Sequence, residues 1–160
     1  VKRSAGIVLY RRSADGTIEV LLGHMGGPFW ARKNEGAWTI PKGEVEPGED
    51  PLVVAQREFH EELGSPVPPG ELAELGEVRQ SGGKLVRAWA VEGDLDAESV
   101  VSNTFDLEWP PRSGRMQSFP EVDRAAWMDL ATARPLIIDA QRALLDRLDE
   151  VTASDGSSKR

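Results

Sequence analysis

The chain reads as an α/β domain, and three observations predict it. Short β-branched and aromatic runs alternate with two amphipathic helical patterns, in the order strands, helix, strands, helix. One helix has both ends marked in the sequence: Asp50-Pro51 opens it and Gly64 closes it, with Pro66 just beyond. The length, 160 residues, fits one core.

Ser4 to Arg11 reads as the first strand, Ala14-Asp15-Gly16 as a turn, and Ile18 to His24 as the returning strand. Met25 to Gly36 is a loop, rich in glycine and carrying Phe29, Trp30, Arg32 and Lys33. Trp38-Thr39-Ile40 is a short strand stopped by Pro41, and Gly43 to Glu49 is irregular because Pro47-Gly48 interrupts it. The capped helix runs to Leu63. Strands follow at Ala73 to Gln80 and Leu85 to Glu92, joined by Ser81-Gly82-Gly83. Gly93 to Gly114 is irregular except for a strand near Asn103 to Trp109, and Ala125 to Met128 is the last strand. Asp129 to Val151 is helical with a break at Pro135, its apolar face formed by Ile138, Ala140, Leu144, Leu145 and Leu148. Residues 152–160 lack apolar periodicity and are expected to be a disordered tail, so the domain is expected to span residues 1–151.

Composition excludes several functions. The net charge is −8, which disfavours general nucleic-acid binding. There is no cysteine, so thiol catalysis, disulfides and thiolate zinc sites are out. With two histidines, a nucleophilic triad is a poor fit, and His60-Glu61 lacks the second histidine of a zinc protease helix. Gly82-Gly83-Lys84 lacks the spacing of a P-loop. No run approaches the roughly 18 apolar residues of a membrane span. The start, Val1-Lys2-Arg3-Ser4, reads as an opening strand rather than a secretion signal. The expectation is a soluble cytoplasmic protein, monomer or homodimer, acting on a small molecule without nucleic-acid or membrane partners.

The chemistry concentrates between Gly43 and Gly64, where seven residues are acidic and Arg57 alone opposes them. At about 100° per residue, Leu52, Ala55, Phe59 and Leu63 share one stripe, while Glu58, Glu61 and Glu62 share a second beside it. A solvated face is the ordinary reading of such a run. Three like charges on one stripe, however, raise one another's pKa unless a cation relieves them. Glutamate oxygens suit Mg²⁺ or Mn²⁺.

Gly43-x5-Glu49-x7-Arg57-Glu58-Phe59-His60-Glu61-Glu62-Leu63-Gly64-Ser65 resembles the Nudix box, G-x5-E-x7-R-E-U-x-E-E-x-G-U, with every fixed Gly, Glu and Arg in place. Phe59 stands where an aliphatic residue is commoner and Ser65 where an apolar one is expected. Trp38 to Glu49 is similar to the W-x-x-P-K-G-x-x-E-x-G-E entrance of the diadenosine polyphosphate hydrolase branch. The resemblance implies a Nudix-type α/β/α sandwich with a mixed sheet. It also implies Mg²⁺- or Mn²⁺-assisted hydrolysis of a phosphoanhydride in a nucleoside polyphosphate, preferably a diadenosine polyphosphate. A housecleaning triphosphate pyrophosphatase is the alternative, and a non-catalytic sensor a third. By position, Glu58, Glu61, Glu62 and the Gly43 carbonyl would hold metal. Glu58 or a carboxylate outside the box would activate water, and Arg57 with Glu49 would be the supporting pair.

Lys42, at the mouth of the loop, is read as a phosphate contact. Phe29 and Trp30 either stack a base or anchor the loop, and Arg32 and Lys33 accompany them. Arg112 and Arg115 either clamp phosphate or belong to a rigid turn around Trp109-Pro110-Pro111. Lys84 and Arg87 read as surface charge. Glu121, just before the last strand, is either a surface residue or an extra base.

Overall fold

The computed structural model describes residues 1–158, with side chains as far as residue 153. The first hairpin pairs β1 (Arg3–Arg12) with β2 (Ile18–Met25), turning where expected. The two strands stay paired only at their shared end, where Tyr10, Arg11 and Arg12 face Val20, Glu19 and Ile18. Beyond it they separate, and two short strands fill the wedge. β3 (Trp38–Thr39) pairs with His24 and Gly23 of β2, and β4 (Lys42–Glu44) pairs with Gly6, Ala5 and Ser4 of β1. The stretch expected to be irregular from Gly43 therefore begins in a strand. Its pairing comes from β1, far away in sequence, and only Pro47-Gly48 behaves as the local signals say.

Helix α1 (Pro51–Leu63) has the predicted bounds. The Asp50 side chain accepts the Leu52 amide, and Gly64 takes the left-handed conformation, φ 78°, that lets its N–H reach the His60 carbonyl. After α1, β5 (Ala73–Arg79) and β6 (Leu85–Glu92) form a second hairpin, and β6 runs parallel to β1 with Ile7 opposite Trp89. β9 (Val122–Asp129), longer than expected, pairs antiparallel with β2 and completes a mixed seven-stranded sheet.

Alternation along β1 sends Ile7 and Leu9 to one face, under Phe59 and Leu63 of α1. Val8 and Tyr10 go to the other face, under α2 (Leu130–Leu136) and α3 (Arg142–Ser158), where Leu144, Leu145 and Leu148 are fully buried. This is the expected α/β/α sandwich. The helix break falls after α2, where the extended Ile137 bridges to Trp38. The tail expected from residue 152 is instead helix through Ser158. Thr152 is buried, with its hydroxyl donating to the Leu148 carbonyl. Residues 159 and 160 lie outside the described residues.

The strand expected near Asn103 is β7 (Thr104–Glu108). It pairs with an unexpected β8 (Met116–Pro120) in a separate two-stranded ribbon whose strands are largely exposed.

Candidate active site

Packing fixes which side of α1 faces the sheet. With Ala55, Phe59 and Leu63 buried against it, Glu58 and Glu62, one turn apart, fall on the flank facing β4, and Glu61 on the outer border of that flank. Gly43 of β4 lies against Glu58 so closely that a Cβ there would overlap the carboxyl group. The neighbouring Lys42 amide donates to the Glu62 carboxylate.

The loop before α1 is tied back to it. Arg57 Nη1 donates to Glu49 Oε2 at 3.0 Å, Glu49 Oε1 accepts the Glu46 amide at 2.8 Å, and Arg57 Nη2 lies 3.7 Å from Glu58 Oε1. The backbone amide first, then Arg57, hold the Glu49 carboxyl below its ordinary value.

Glu121, at the β8–β9 junction, is placed by a relay of main-chain hydrogen bonds. The Asn103 amide donates to the Glu61 carbonyl, the Glu121 amide to the Asn103 carbonyl, and the Gly26 amide to the Glu121 carbonyl. Helix, ribbon and glycine loop are thereby joined around one carboxylate. Burial raises the Glu121 carboxyl, and the Glu61 charge adds to it.

The Glu62 side chain is only 6% exposed, and its Oε2 has no hydrogen-bond partner. Burial pushes its pKa up to about 9. The charges of Glu121 and Glu58 add to this, while Lys42 acts in the opposite sense. Glu58 is raised as well, first by burial and then by Glu61, with Arg57 opposing. The Lys42 ammonium is depressed by burial and by Lys84, against the attraction of Glu62 and Glu58.

Among the described residues, no three acidic or histidine side chains stand gathered as a finished metal cage. Glu58 and Glu62 share the flank, Glu61 borders it, and Glu121 enters from another element. The donor chemistry nevertheless suits a hard divalent cation. Every group is an oxygen, one buried oxygen is orphaned, and Lys42 and Arg57 offset the accumulated charge only in part, since Glu58 and Glu62 both stay raised.

The other candidates divide. Lys42 lies beside the carboxylates as expected, and Lys84, read as surface charge, stands near enough to repel it. Arg87 is surface charge, paired with Glu74 and resting over Trp89. Trp30 packs against the core with the Lys33 ammonium over its ring, so it anchors the loop, while Phe29 is 59% exposed and meets Trp109 edge-on. Arg32, Arg112 and Arg115 are exposed and make no ion pair among the described residues, the last two at the tip of the β7–β8 ribbon.

His24, read as a strand-end residue, is fully buried. Its Nε2 donates to the Lys33 carbonyl at 2.6 Å, and its Nδ1 lies 2.9 Å from Asp123 Oδ1, fastening the aromatic loop to β9. No local pattern marks this role, because both partners come from other elements.

A sandwich with this helix and glutamate flank defines a class, and comparison with known proteins agrees. Residues 1–148 match the family model of the NUDIX domain, and the chain belongs to that family. It is 30% identical over 159 residues to an 8-oxo-(d)GTP phosphatase of Mycolicibacterium smegmatis, an alignment covering 91% of this chain and 45% of the relative. The chain thus spans less than half that relative's length. It is 37% identical over 113 residues to the asymmetrical bis(5'-nucleosyl)-tetraphosphatase of Sus scrofa, covering 62% of this chain and 71% of the relative. Among solved structures it resembles the C. elegans Ap4A hydrolase binary complex, with a TM-score of 0.66 and 27% identity over 96% of this chain and 99% of that one.

Proposed function

We propose that the chain is a divalent-metal-dependent pyrophosphohydrolase that cleaves a phosphoanhydride bond in a nucleoside polyphosphate, with diadenosine polyphosphates preferred. The observation that carries the reading is Glu62: a buried carboxyl with an orphaned oxygen, placed beside Glu58 and Glu121, is where a bound cation would supply the missing partner and favour the ionised form.

Glu58, Glu61, Glu62 and the Gly43 carbonyl are the groups that would hold Mg²⁺ or Mn²⁺. The chemistry supplied there would be neutralisation of phosphate oxygens and acidification of the attacking water. Glu58 or Glu121 would take the proton from the attacking water, since a carboxylate with raised proton affinity is the better base near neutral pH. Lys42 meets the phosphate charge from the β4 side. Arg57 keeps α1 and its loop in register through Glu49, and holds Glu58 from behind. The preference for a dinucleoside substrate rests on the Trp38–Glu49 entrance and on the two relatives named for that substrate class.

A second reading, hydrolysis of oxidised or ordinary nucleoside triphosphates, is favoured by the M. smegmatis relative, whose alignment covers more of this chain. The test is turnover of diadenosine tetraphosphate, ATP, 8-oxo-dGTP and ADP-ribose with Mn²⁺ in ¹⁸O-water, with products identified by mass. Fastest cleavage of the dinucleotide, with one ¹⁸O in a nucleotide product, is expected. Faster release of pyrophosphate from a triphosphate installs the second reading, and no turnover of any substrate refutes both.

A further inference from the structure

The solvent side of α1 carries an open cavity of about 750 Å³, separate from the carboxylate flank and touching it at Glu61. Val53, Gln56 and His60 recur along one stripe of the helix and form one wall. Val101 and Asn103, on the segment that leads into β7, form the other.

That segment is strapped down: the Val101 amide donates to the Leu63 carbonyl and the Asn103 amide to the Glu61 carbonyl, which satisfies two free carbonyls at the helix end. Apart from Ser102, whose hydroxyl donates to the Asn103 carbonyl and accepts the Val122 amide, the polar side chains facing the cavity from this segment and from Gln56 and His60 are left unengaged. Val53 and Val101 are 57% and 72% exposed, and the side chains of Gln56, His60 and Asn103 make no hydrogen bond or ion pair among the described residues. Exposed apolar walls facing unspent amide and imidazole groups match a flat ligand with apolar faces and polar edges. Arg57, the one cation lining the cavity, is already engaged by Glu49 and Glu58, so the cavity is not built for phosphate. Its size falls within the range of small-ligand pockets.

We propose that this cavity receives the second nucleoside of a dinucleoside polyphosphate, the one on the far side of the Glu61 border from the carboxylates. The inference rests on the hydrolase reading above and deepens it, since a nucleoside triphosphate would leave the cavity empty.

Diadenosine tetraphosphate and adenosine 5'-tetraphosphate differ by the second adenosine alone, so the ratio of their kcat/KM values reads the cavity directly. Val101→Asp, at an exposed position that the core does not need, is expected to lower that ratio about tenfold or more and to leave adenosine tetraphosphate within about twofold of the parent protein. An unchanged ratio, or equal losses on both substrates, overturns the proposal. Adenosine titrated into the whole chain and followed through valine methyl resonances supplies the second measurement. Saturable shifts at Val53 and Val101 are expected, and their absence overturns the proposal. If neither nucleotide is turned over, the hydrolase reading fails and the titration alone decides the cavity.

Discussion

Replacing Glu62 with glutamine should stabilise the protein when divalent metal is withheld. The Glu62 carboxyl holds its proton up to about pH 9 in the fold, against 4.5 ordinarily. Between those values the folded state carries one more proton than the unfolded state, so stability falls as pH rises through the window and is fully retained only below 4.5. At about 1.4 kcal/mol per pH unit, the loss reaches about 5 kcal/mol by pH 8. Water entering the cleft and relaxation of the groups around the charge reduce that ceiling, and an expected gain of about 2–3 kcal/mol remains for a glutamine that cannot ionise. For a chain of this size the gain corresponds to about 5–10 °C in Tm. The assay is thermal unfolding in EDTA from pH 6 to 9. The parent Tm should decline across the range, and that of Glu62→Gln should decline less, with Glu58 and Glu121 supplying the residual slope of the same sign. Millimolar Mn²⁺ should raise the parent Tm and leave the variant nearly unmoved, since the proposed ligand set is complete only in the parent. A lower Tm for Glu62→Gln at pH 8, or a flat parent profile, would refute the reasoning.

Glu61→Gln should lower activity at least about a hundredfold with the fold intact, since it removes one of the carboxylates proposed to hold metal; activity measured in excess EDTA should vanish in parallel. Gly43→Ala should reduce both Tm and turnover, because the added methyl overlaps the Glu58 carboxyl; a variant with parent activity would place Glu58 elsewhere. Lys42→Ala should cut kcat/KM for diadenosine tetraphosphate about tenfold, as expected for one charge-assisted phosphate contact.

Signals carried by neighbouring residues were legible. Asp50-Pro51 and Gly64 delimit α1 because caps are made by the backbone next to them. The glutamate spacing is likewise local to the helix. Elements formed by distant partners were hidden. β4 is a strand because β1 offers it an edge, and nothing in Lys42-Gly43-Glu44 says so. β8 escaped notice because a ribbon that buries little needs no apolar alternation. α3 continues past Val151 without apolar period, since Thr152 satisfies its hydroxyl within the helix and packs inward. In the site, the depth of Glu62 was invisible, because charged residues are seldom buried and only the sheet's wedge makes this one so. Trp30 and Phe29 divide the two roles that the sequence leaves open: the first is committed to the core and the second is exposed.

The division of β1 between two partners sets an order of events in folding. α1 can begin from its own caps, yet Glu58 meets Gly43 only when β4 has entered the opened sheet beside residues 4–6. That edge is fixed by β6, which reaches β1 from the far side of the chain, with Ile7 opposite Trp89. Glu121 comes into place only when β9 has closed onto β2, a pairing across about a hundred residues. Closures of such length are slow compared with helix formation. A refolding chain should therefore recover its helical signal ahead of the metal-dependent turnover proposed for it, because the carboxylates of the site are brought together by the closures that come last.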